Sequence, residues 1–145
     1  MPKLDTILLA EDDPKDVELT MEALEENNLA NEVIRTKDGV ETLDYLLYRG
    51  EFKDRKPGNP AVLLLDLKMP RMNGLEVLQV IRETADLKHL PVVMLTSSRE
   101  EQDLVKSYQL GVNAYVVKPV DFNQFVTAVS QIGYFWAVLN QYPEK

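Results

Sequence analysis

Three acidic side chains that lie far apart in the sequence each follow an apolar run typical of a buried strand. Glu11 and Asp12 come directly after the first such run of the chain, and Asp66 comes directly after a later one. A lysine, Lys118, follows a third apolar run. Because the carboxyl ends of neighbouring parallel strands meet at one edge of a sheet, these runs would bring the four charges into one pocket.

Carboxylates that share a pocket require a cation or a proton. Two like charges about 4 Å apart repel by roughly 4 kcal/mol at an effective dielectric constant near 20. An all-oxygen site suits Mg²⁺, whereas zinc is disfavoured because the sequence has no cysteine and a single histidine, His89. The three carboxylates therefore predict a magnesium site. We expect His89 to be a solvated loop residue, since no second ligand or base accompanies it.

A magnesium ion beside a carboxylate also neutralises an incoming phosphoryl group, and a lysine ammonium can hold the remaining phosphoryl oxygens. Asp66 is therefore a candidate covalent phosphate acceptor, and Lys118 is the candidate ammonium. Taken singly, Asp66 would be an ordinary solvated acid at the end of a strand. Its placement together with the other charges favours a functional interpretation.

The elements that must position these residues alternate along the chain. Continuous apolar runs indicate strands covered on both faces, and apolar residues three or four apart indicate helices. Their alternation predicts an α/β fold in which right-handed crossovers build a parallel sheet with helices on both faces. The predicted strands cover 6–10, 32–36, 61–65, 92–95 and 114–117, and a helix is predicted after each of them. The second helix is predicted to end near Gly50, and the fifth to start after Asp121. The fourth helix is predicted to contain Leu104, Val105 and Leu110.

Other charged residues have structural explanations. Asp13 suits the cap of the first helix better than a metal ligand, because Pro14 occupies the first helical position after it. Lys53, Arg55 and Lys56 form a basic cluster in the polar loop before the third strand. Neighbouring acids dilute this cluster, so a solvated loop face is favoured over a contact with a kinase or another partner.

Four segments carry a resemblance to a known family. The acidic group after the first strand, LLLDLKMPRMNG around Asp66, LTS at the fourth strand and VVKP at the fifth resemble the receiver domains of two-component response regulators. The resemblance covers nearly the whole chain. It implies a flavodoxin-like, doubly wound fold with five parallel strands in the order 2-1-3-4-5, and a single receiver domain over 1–145 with an extended loop at 51–60.

Carried over residue by residue, the resemblance makes Asp66 the phosphoacceptor. Glu11 and Asp12 become the acidic pair that holds Mg²⁺ with Asp66, directly or through water. The main-chain carbonyl of Lys68 would complete the protein ligands of the metal.

The same resemblance assigns the residues that respond to phosphorylation. Thr96 would supply the hydroxyl that moves to hydrogen-bond the phosphoryl group, and Tyr115 the aromatic ring whose position follows that movement. Lys118 would bind the phosphoryl group, and the Lys118–Pro119 bond would be cis as it is in the family.

Composition bounds the partners and the compartment. With 24 acidic and 16 basic residues the formal net charge is −8, so nucleic acids and anionic membranes are unfavourable partners. The absence of cysteine excludes a disulfide framework. The first residues lack the apolar stretch of a secretion signal, and no run reaches the roughly 20 residues of a membrane span. We therefore expect a cytoplasmic protein that binds neither nucleic acid nor membrane.

The end of the fifth helix carries more apolar residues than one covering face needs. A helix that is apolar on more than one side buries both sides internally or meets another chain, and the aromatic content favours a homodimer. The terminal YFWAVLNQYP and the loop at 51–60 resemble the small response regulators paired with bacterial and cyanobacterial phytochromes. Phe122, Phe125, Val129, Ile132 and Trp136 are expected to face the sheet, and Tyr134, Phe135, Val138 and Tyr142, within an extension at 133–145, to lie elsewhere.

The resulting hypothesis is a response regulator, not an enzyme, to which a sensor histidine kinase of phytochrome type donates a phosphoryl group. Two alternatives stay open. A haloacid-dehalogenase-type phosphohydrolase also uses an acid at a strand end, but it needs a second acid two residues later, where this chain has Lys68. A receiver-shaped interaction module without phosphorylation is compatible with the fold alone, although the set of Asp66, Thr96 and Lys118 argues against it.

Overall fold

Strands and helices alternate through the whole of the described chain. A computed structural model describes residues 4–26 and 29–131, and within these ranges it contains five strands and five α-helices. The predicted alternation is confirmed. The strands are β1 (Leu4–Ala10), β2 (Ala30–Thr36), β3 (Val62–Asp66), β4 (Val92–Thr96) and β5 (Ala114–Val117), and the helices are α1 (Pro14–Glu26), α2 (Gly39–Leu46), α3 (Gly74–Glu83), α4 (Arg99–Ser107) and α5 (Phe122–Gln131).

All five strands are parallel, and their order is β2-β1-β3-β4-β5. The expected order and fold class are confirmed. Every residue of β3 and β4 is buried, as the continuous apolar runs predict for central strands covered on both faces. The chain reverses its direction of winding at β1, so β1 and β3 flank the switch point, where ligands bind in sheets of this kind.

Two apolar clusters cover the two faces of the sheet because successive strand side chains point to opposite faces. Leu9 and Leu64 belong to the cluster that α1 and α5 cover. Leu8 and Leu63 belong to the cluster on the other face, which α2, α3 and α4 cover. The expected packing of α5 is confirmed within its described part, where Phe125 and Val129 are buried and Phe122 is partly buried.

Two predicted helix limits are wrong. The second helix ends at Leu46 instead of near Gly50, because Tyr48 adopts a left-handed conformation with φ of 58° and turns the chain out of the helix. A short 3₁₀ helix, Gly50–Phe52, begins the following loop. The fourth helix ends at Ser107, so Leu110 lies beyond it.

The basic cluster of the loop is only partly solvated, which corrects the prediction for Arg55. Its guanidinium carbon lies 4.0 Å from the ring centroids of both Tyr45 and Tyr48, and its Nε donates to the Tyr45 carbonyl at 2.6 Å. Lys53 and Lys56 are exposed, as expected. Stacking between two rings and hydrogen bonding fix the loop to the end of α2.

No helix within the described ranges is long and apolar enough to cross a membrane. The extension at 133–145 and the aromatic residues on which the homodimer prediction depends lie outside the described residues.

Candidate functional site

The carboxyl ends of the strands bring the predicted residues together. Asp66 is the last residue of β3 and Thr96 the last residue of β4, while Glu11 directly follows β1 and Lys118 directly follows β5. β1 and β4 both pair with β3, and β5 pairs with β4. Residues that sequence separates by more than a hundred positions therefore share one edge of the sheet.

An acidic cluster forms at this edge. Glu11, Asp12 and Asp66 each offer a carboxylate oxygen, and these oxygens lie within 4.8 Å of one another. Glu11 is 0% exposed and Asp66 is 3% exposed, whereas Asp12 is exposed. Oxygen donors that are buried on one side and open on the other fit Mg²⁺, which prefers oxygen and retains several of its waters.

The loop after β1 is held in place mainly through its backbone. The Glu11 N–H donates to the Thr36 carbonyl at 3.0 Å, and the side chain of Arg35 donates to the carbonyls of Glu11 at 2.9 Å and Asp12 at 3.2 Å. Asp13 accepts from the main chain of the first turn of α1, which confirms the predicted cap. Contacts with β2 thus fix the backbone of the two acids, and the first turn of α1 fixes the residue that follows them.

The loop after β3 packs closely against the start of α2. Arg71 makes a bidentate pair with Asp38, with nitrogen–oxygen distances of 3.0 and 3.1 Å. A side chain at Gly39 would overlap the Met72 backbone, and one at Gly74 would overlap the carbonyl of the phosphoacceptor candidate. This close packing explains why both positions need glycine.

The side chain of Lys68 does not contribute to the cluster. Its ammonium lies 3.3 Å from Glu101 on α4, and the side chain is 81% exposed. The metal role expected of Lys68 concerns its main-chain carbonyl, and that role stays a prediction.

Lys118 connects three carboxylates at the centre of the site. Its Nζ lies 3.1 Å from Asp66, 3.2 Å from Glu11 and 3.1 Å from Asp16, and the side chain is 15% exposed. The Lys118 N–H donates to the Thr96 carbonyl at 2.8 Å, and the following bond to proline is cis, as the resemblance implies. The ammonium therefore faces the acid that would accept the phosphoryl group.

Burial shifts the pKa values of the charged groups in this pocket. It raises the pKa of Glu11 to about 7, and the charge and hydrogen bond of Asp66 add to this effect. The pKa of Asp66 is also raised, first by burial, although Glu11 and Lys118 oppose that effect. Burial lowers the pKa of Lys118, but the carboxylates of Asp66 and Glu11 outweigh it and raise that pKa overall. Lys118 thus stays charged, while the carboxyl pair retains an affinity for a proton that a divalent cation would replace.

The two residues expected to respond to phosphorylation lie on neighbouring strands. Thr96 is fully buried, and its hydroxyl accepts a hydrogen bond from Gln102 Nε2 of α4 at 3.3 Å. Tyr115 is half-buried, and the ammonium of Lys106 lies 5.2 Å from its ring centroid. Both residues contact α4, so a movement of either side chain would alter its contact with that helix.

Sequence reasoning missed three residues that contact the site: Asp16, Arg35 and Gln102. Each acts through a tertiary contact that has no local sequence signal. Asp16 lies in the first turn of α1, where an acid is already explained by the helix dipole. His89, by contrast, is exposed just before the amino end of β4, away from the acids, as expected.

Comparisons with known proteins agree with this geometry. The sequence profile of the response regulator receiver domain matches residues 7–130. The chain is 38% identical over 130 residues to the response regulator Rcp1 of Synechocystis sp. (strain ATCC 27184 / PCC 6803 / Kazusa), a match that covers 90% of this chain and 87% of that protein.

Solved structures give a similar result. The bacteriophytochrome response regulator RtBRR has a TM-score of 0.88 at 63% identity, over 94% of this chain and 82% of that one. The bacteriophytochrome response regulator AtBRR has a TM-score of 0.88 at 61% identity, over 96% and 99%. The phosphorylated cyanobacterial phytochrome response regulator RcpA has a TM-score of 0.73 at 37% identity, over 92% and 94%. A Mn²⁺-bound form of Rcp1 has a TM-score of 0.71 at 37% identity, over 91% and 94%.

Proposed function

The chain belongs to the family of response regulator receiver domains, which act in phosphorylation-dependent two-component signalling, and we propose that Asp66 is its phosphoacceptor. The observation that carries the proposal is the position of the Lys118 ammonium, 3.1 Å from Asp66 and beside the acidic cluster. A buried nucleophile, a fixed cation and a cluster of metal-binding oxygens are what phosphoryl transfer needs.

In the proposed transfer, a carboxylate oxygen of Asp66 attacks the phosphorus atom of a phosphohistidine on a sensor kinase. A P–O bond forms as the P–N bond breaks, and the imidazole leaves with the electron pair and takes up a proton. Lys118 holds one of the oxygens of the transferred group. Glu11, Asp12, Asp66 and the carbonyl of Lys68 would hold Mg²⁺, which supplies neutralisation of the phosphoryl charge when it is bound.

The response to phosphorylation is proposed to start at Thr96. Its hydroxyl exchanges the weak bond from Gln102 for one to a phosphoryl oxygen, and Tyr115 follows into the space released. Because Gln102 and Lys106 both lie on α4, the surface formed by α4, β5 and α5 changes for protein partners.

The cognate donor is proposed to be a phytochrome-type sensor histidine kinase. The support is the likeness to bacteriophytochrome response regulators at 61 to 63% identity, together with the likeness to the phosphorylated cyanobacterial phytochrome response regulator RcpA at 37% identity. The Mn²⁺-bound form of Rcp1 supports the proposed metal site instead. We further propose that the chain is a single receiver domain over 1–145 that acts in the cytoplasm, without enzymatic activity on a separate substrate, and binds neither nucleic acid nor membrane.

A homodimer through the C-terminal helix region is also proposed, from the surplus of aromatic residues after position 132. Light scattering tests it. A chain truncated before Tyr134 should form smaller particles than the full chain, and two monomers would refute the proposal.

The two alternatives have less support. The phosphohydrolase would need an acid at position 68, where the lysine ammonium instead faces Glu101 at 3.3 Å. The interaction module without phosphorylation would leave the convergence of Asp66, Thr96 and Lys118 unexplained.

Intact-mass spectrometry tests the proposed acceptor. With acetyl phosphate and Mg²⁺, the chain should gain the mass of one phosphoryl group, and Asp66→Asn should gain none. Mg²⁺ with beryllofluoride should likewise raise the melting temperature of the original chain far more than that of Asp66→Asn. Equal mass gain in both proteins would contradict the assignment, and so would no gain in either protein under conditions that preserve an acyl phosphate.

A further inference from the structure

Among the residues that the structure describes, Asp16 is the one partner of the Lys118 ammonium that does not belong to the acidic cluster. The cluster consists of Glu11, Asp12 and Asp66. Asp16 approaches from the first turn of α1, with its Oδ2 3.1 Å from Lys118 Nζ. Its side chain is 27% exposed and that of Lys118 is 15% exposed. The contact is therefore partly shielded from solvent, where a charge-assisted hydrogen bond is stronger than at an open surface.

The Lys118 ammonium donates hydrogen bonds to Glu11 and Asp16 and forms an ion pair with Asp66 at 3.1 Å. Phosphorylation alters Asp66, because the transferred group is attached to that carboxylate. A bound metal draws on Glu11, which is a candidate ligand. Asp16 is the acceptor that neither change involves, so its bond to Lys118 can persist through the reaction.

We propose that Asp16 is a positioning residue that holds the Lys118 ammonium toward the phosphoryl group. This inference rests on the proposed function, since it presupposes that Lys118 binds the phosphoryl oxygens. Without Asp16, Lys118 retains only partners whose own bonding changes on metal binding or phosphorylation, and its ammonium is less well fixed at the time of transfer.

The local structure of α1 supports this role. Asp13 accepts from the N–H groups of Lys15 and Asp16, at 2.8 and 3.3 Å, and so fixes the turn that carries the Asp16 side chain. The Asp13 N–H in turn donates to Glu11 at 3.2 Å. The anchor of the lysine and the acidic loop are thus built from one continuous turn.

The test uses acetyl phosphate, which contains no kinase surface and so separates positioning from kinase docking. Asp16→Asn should lower the phosphorylation rate by about three- to tenfold, the effect of one charge-assisted hydrogen bond that is partly open to water. Asp16→Glu, which restores the carboxylate, should recover part of the rate. Glu18→Gln removes the same charge from an exposed position on α1 and should leave the rate unchanged.

Two further measurements distinguish positioning from a general effect on structure. Asp16→Asn should bind Mg²⁺ in calorimetry within about twofold of the original chain, because Asp16 lies outside the metal cluster. In a Lys118→Met background, Asp16→Asn should have no additional effect on the rate, since Asp16 acts through the lysine.

Three results would overturn the inference: an unchanged or faster rate in Asp16→Asn, an equal loss in the Lys118→Met background, or a loss accounted for by weaker Mg²⁺ binding. The original chain and Asp66→Asn are measured alongside. If the original chain gains no phosphoryl group, the proposed function fails. If it does and Asp16→Asn matches it, only the positioning role fails.

Discussion

Two cationic side chains at opposite ends of the sheet are bound in contrasting ways. At the carboxyl end, Lys118 contacts three carboxylates. At the amino end of β4, Arg82 of α3 donates to main-chain carbonyls at 2.8 to 3.1 Å, and burial lowers its pKa. The carbonyl acceptors of Arg82 belong to Lys88, Leu90, Leu110 and Gly111.

The two regions differ in the chemistry of the groups that bind the cationic side chain. A main-chain carbonyl neither titrates nor binds a phosphoryl group, so the proposed reaction alters none of the acceptors that Arg82 contacts. Of the carboxylates around Lys118, those of Glu11 and Asp66 could take up a proton or ligate a metal, and Asp66 is the proposed phosphoacceptor. The arginine therefore stabilises two loops, whereas the lysine lies in a site whose bonding we propose to change on phosphorylation.

The largest expected effect comes from removing the lysine. Lys118→Met should lower the rate of phosphorylation by acetyl phosphate by about 10²- to 10³-fold, as expected for the loss of one group that stabilises charge in the transition state. Intact-mass time courses measure this rate. Lys88→Met, which changes an exposed lysine at the other end of the sheet, is the control and should react normally. A similar loss of phosphorylation rate in both variants would contradict the distinction between the two ends of the sheet.

The second largest expected effect is a pH dependence of the free energy of unfolding, which should arise only from the carboxyl end of the sheet. The pKa of Glu11 is about 7 in the folded chain and 4.5 when unperturbed, so the folded state binds this proton more tightly. The resulting stabilisation is complete below pH 4.5 and is lost as the pH rises through about 7. Without metal, the free energy of unfolding should lose up to about 3 kcal/mol over this interval relative to Glu11→Gln.

Urea unfolding of both proteins at several pH values, with a chelator present, measures this difference. Glu11→Gln cannot titrate at this position, and the titrations of groups that Glu11 does not influence cancel between the two proteins. A difference that stays constant from pH 4.5 to 8 would contradict the raised pKa.

Substituting Arg82 should lower the stability of the fold without changing the rate of phosphorylation. Arg82→Met leaves its carbonyl partners without their donor and should lower the free energy of unfolding by about 2 kcal/mol. The phosphorylation rate of the folded fraction should stay within about twofold of the original, since the bonds that Arg82 makes within the described ranges all lie at the opposite end of the sheet. Arg99→Met, at an exposed arginine, is the control. A large loss of rate in Arg82→Met would show that the two ends are coupled.

The smallest expected effect concerns the hydrogen bond between Gln102 and Thr96. At 3.3 Å this bond is weak, and Gln102→Ala should cost about 0.5 kcal/mol of stability. Because the threonine hydroxyl is then freer to turn toward the phosphoryl group, the affinity for beryllofluoride with Mg²⁺ should rise about twofold. In a Thr96→Ala background the same substitution should leave that affinity unchanged. An equal rise in affinity in the Thr96→Ala background would show that Gln102 acts through another contact of α4.

Much of the fold and of the site follows from local pattern. The apolar runs around Leu64 and Val93 indicate central strands, and the order of elements requires parallel pairing, which places Asp66 and Thr96 at one edge. The limits of α2 and α4 were predicted less well. A left-handed residue such as Tyr48 and the packing of Arg55 between two rings depend on contacts that no periodicity reveals.

The sequence by itself determined which groups are available for chemistry and at which strand ends they lie, because burial pattern and strand direction are local properties of the chain. Only the tertiary structure decided which acids surround Lys118, how strongly Glu11 holds a proton and that Asp16 completes the set. Hydrogen bonds and desolvation depend on distances of a few ångströms between residues a hundred positions apart, and those distances are fixed by the packing of α1 against the sheet to which β5 belongs.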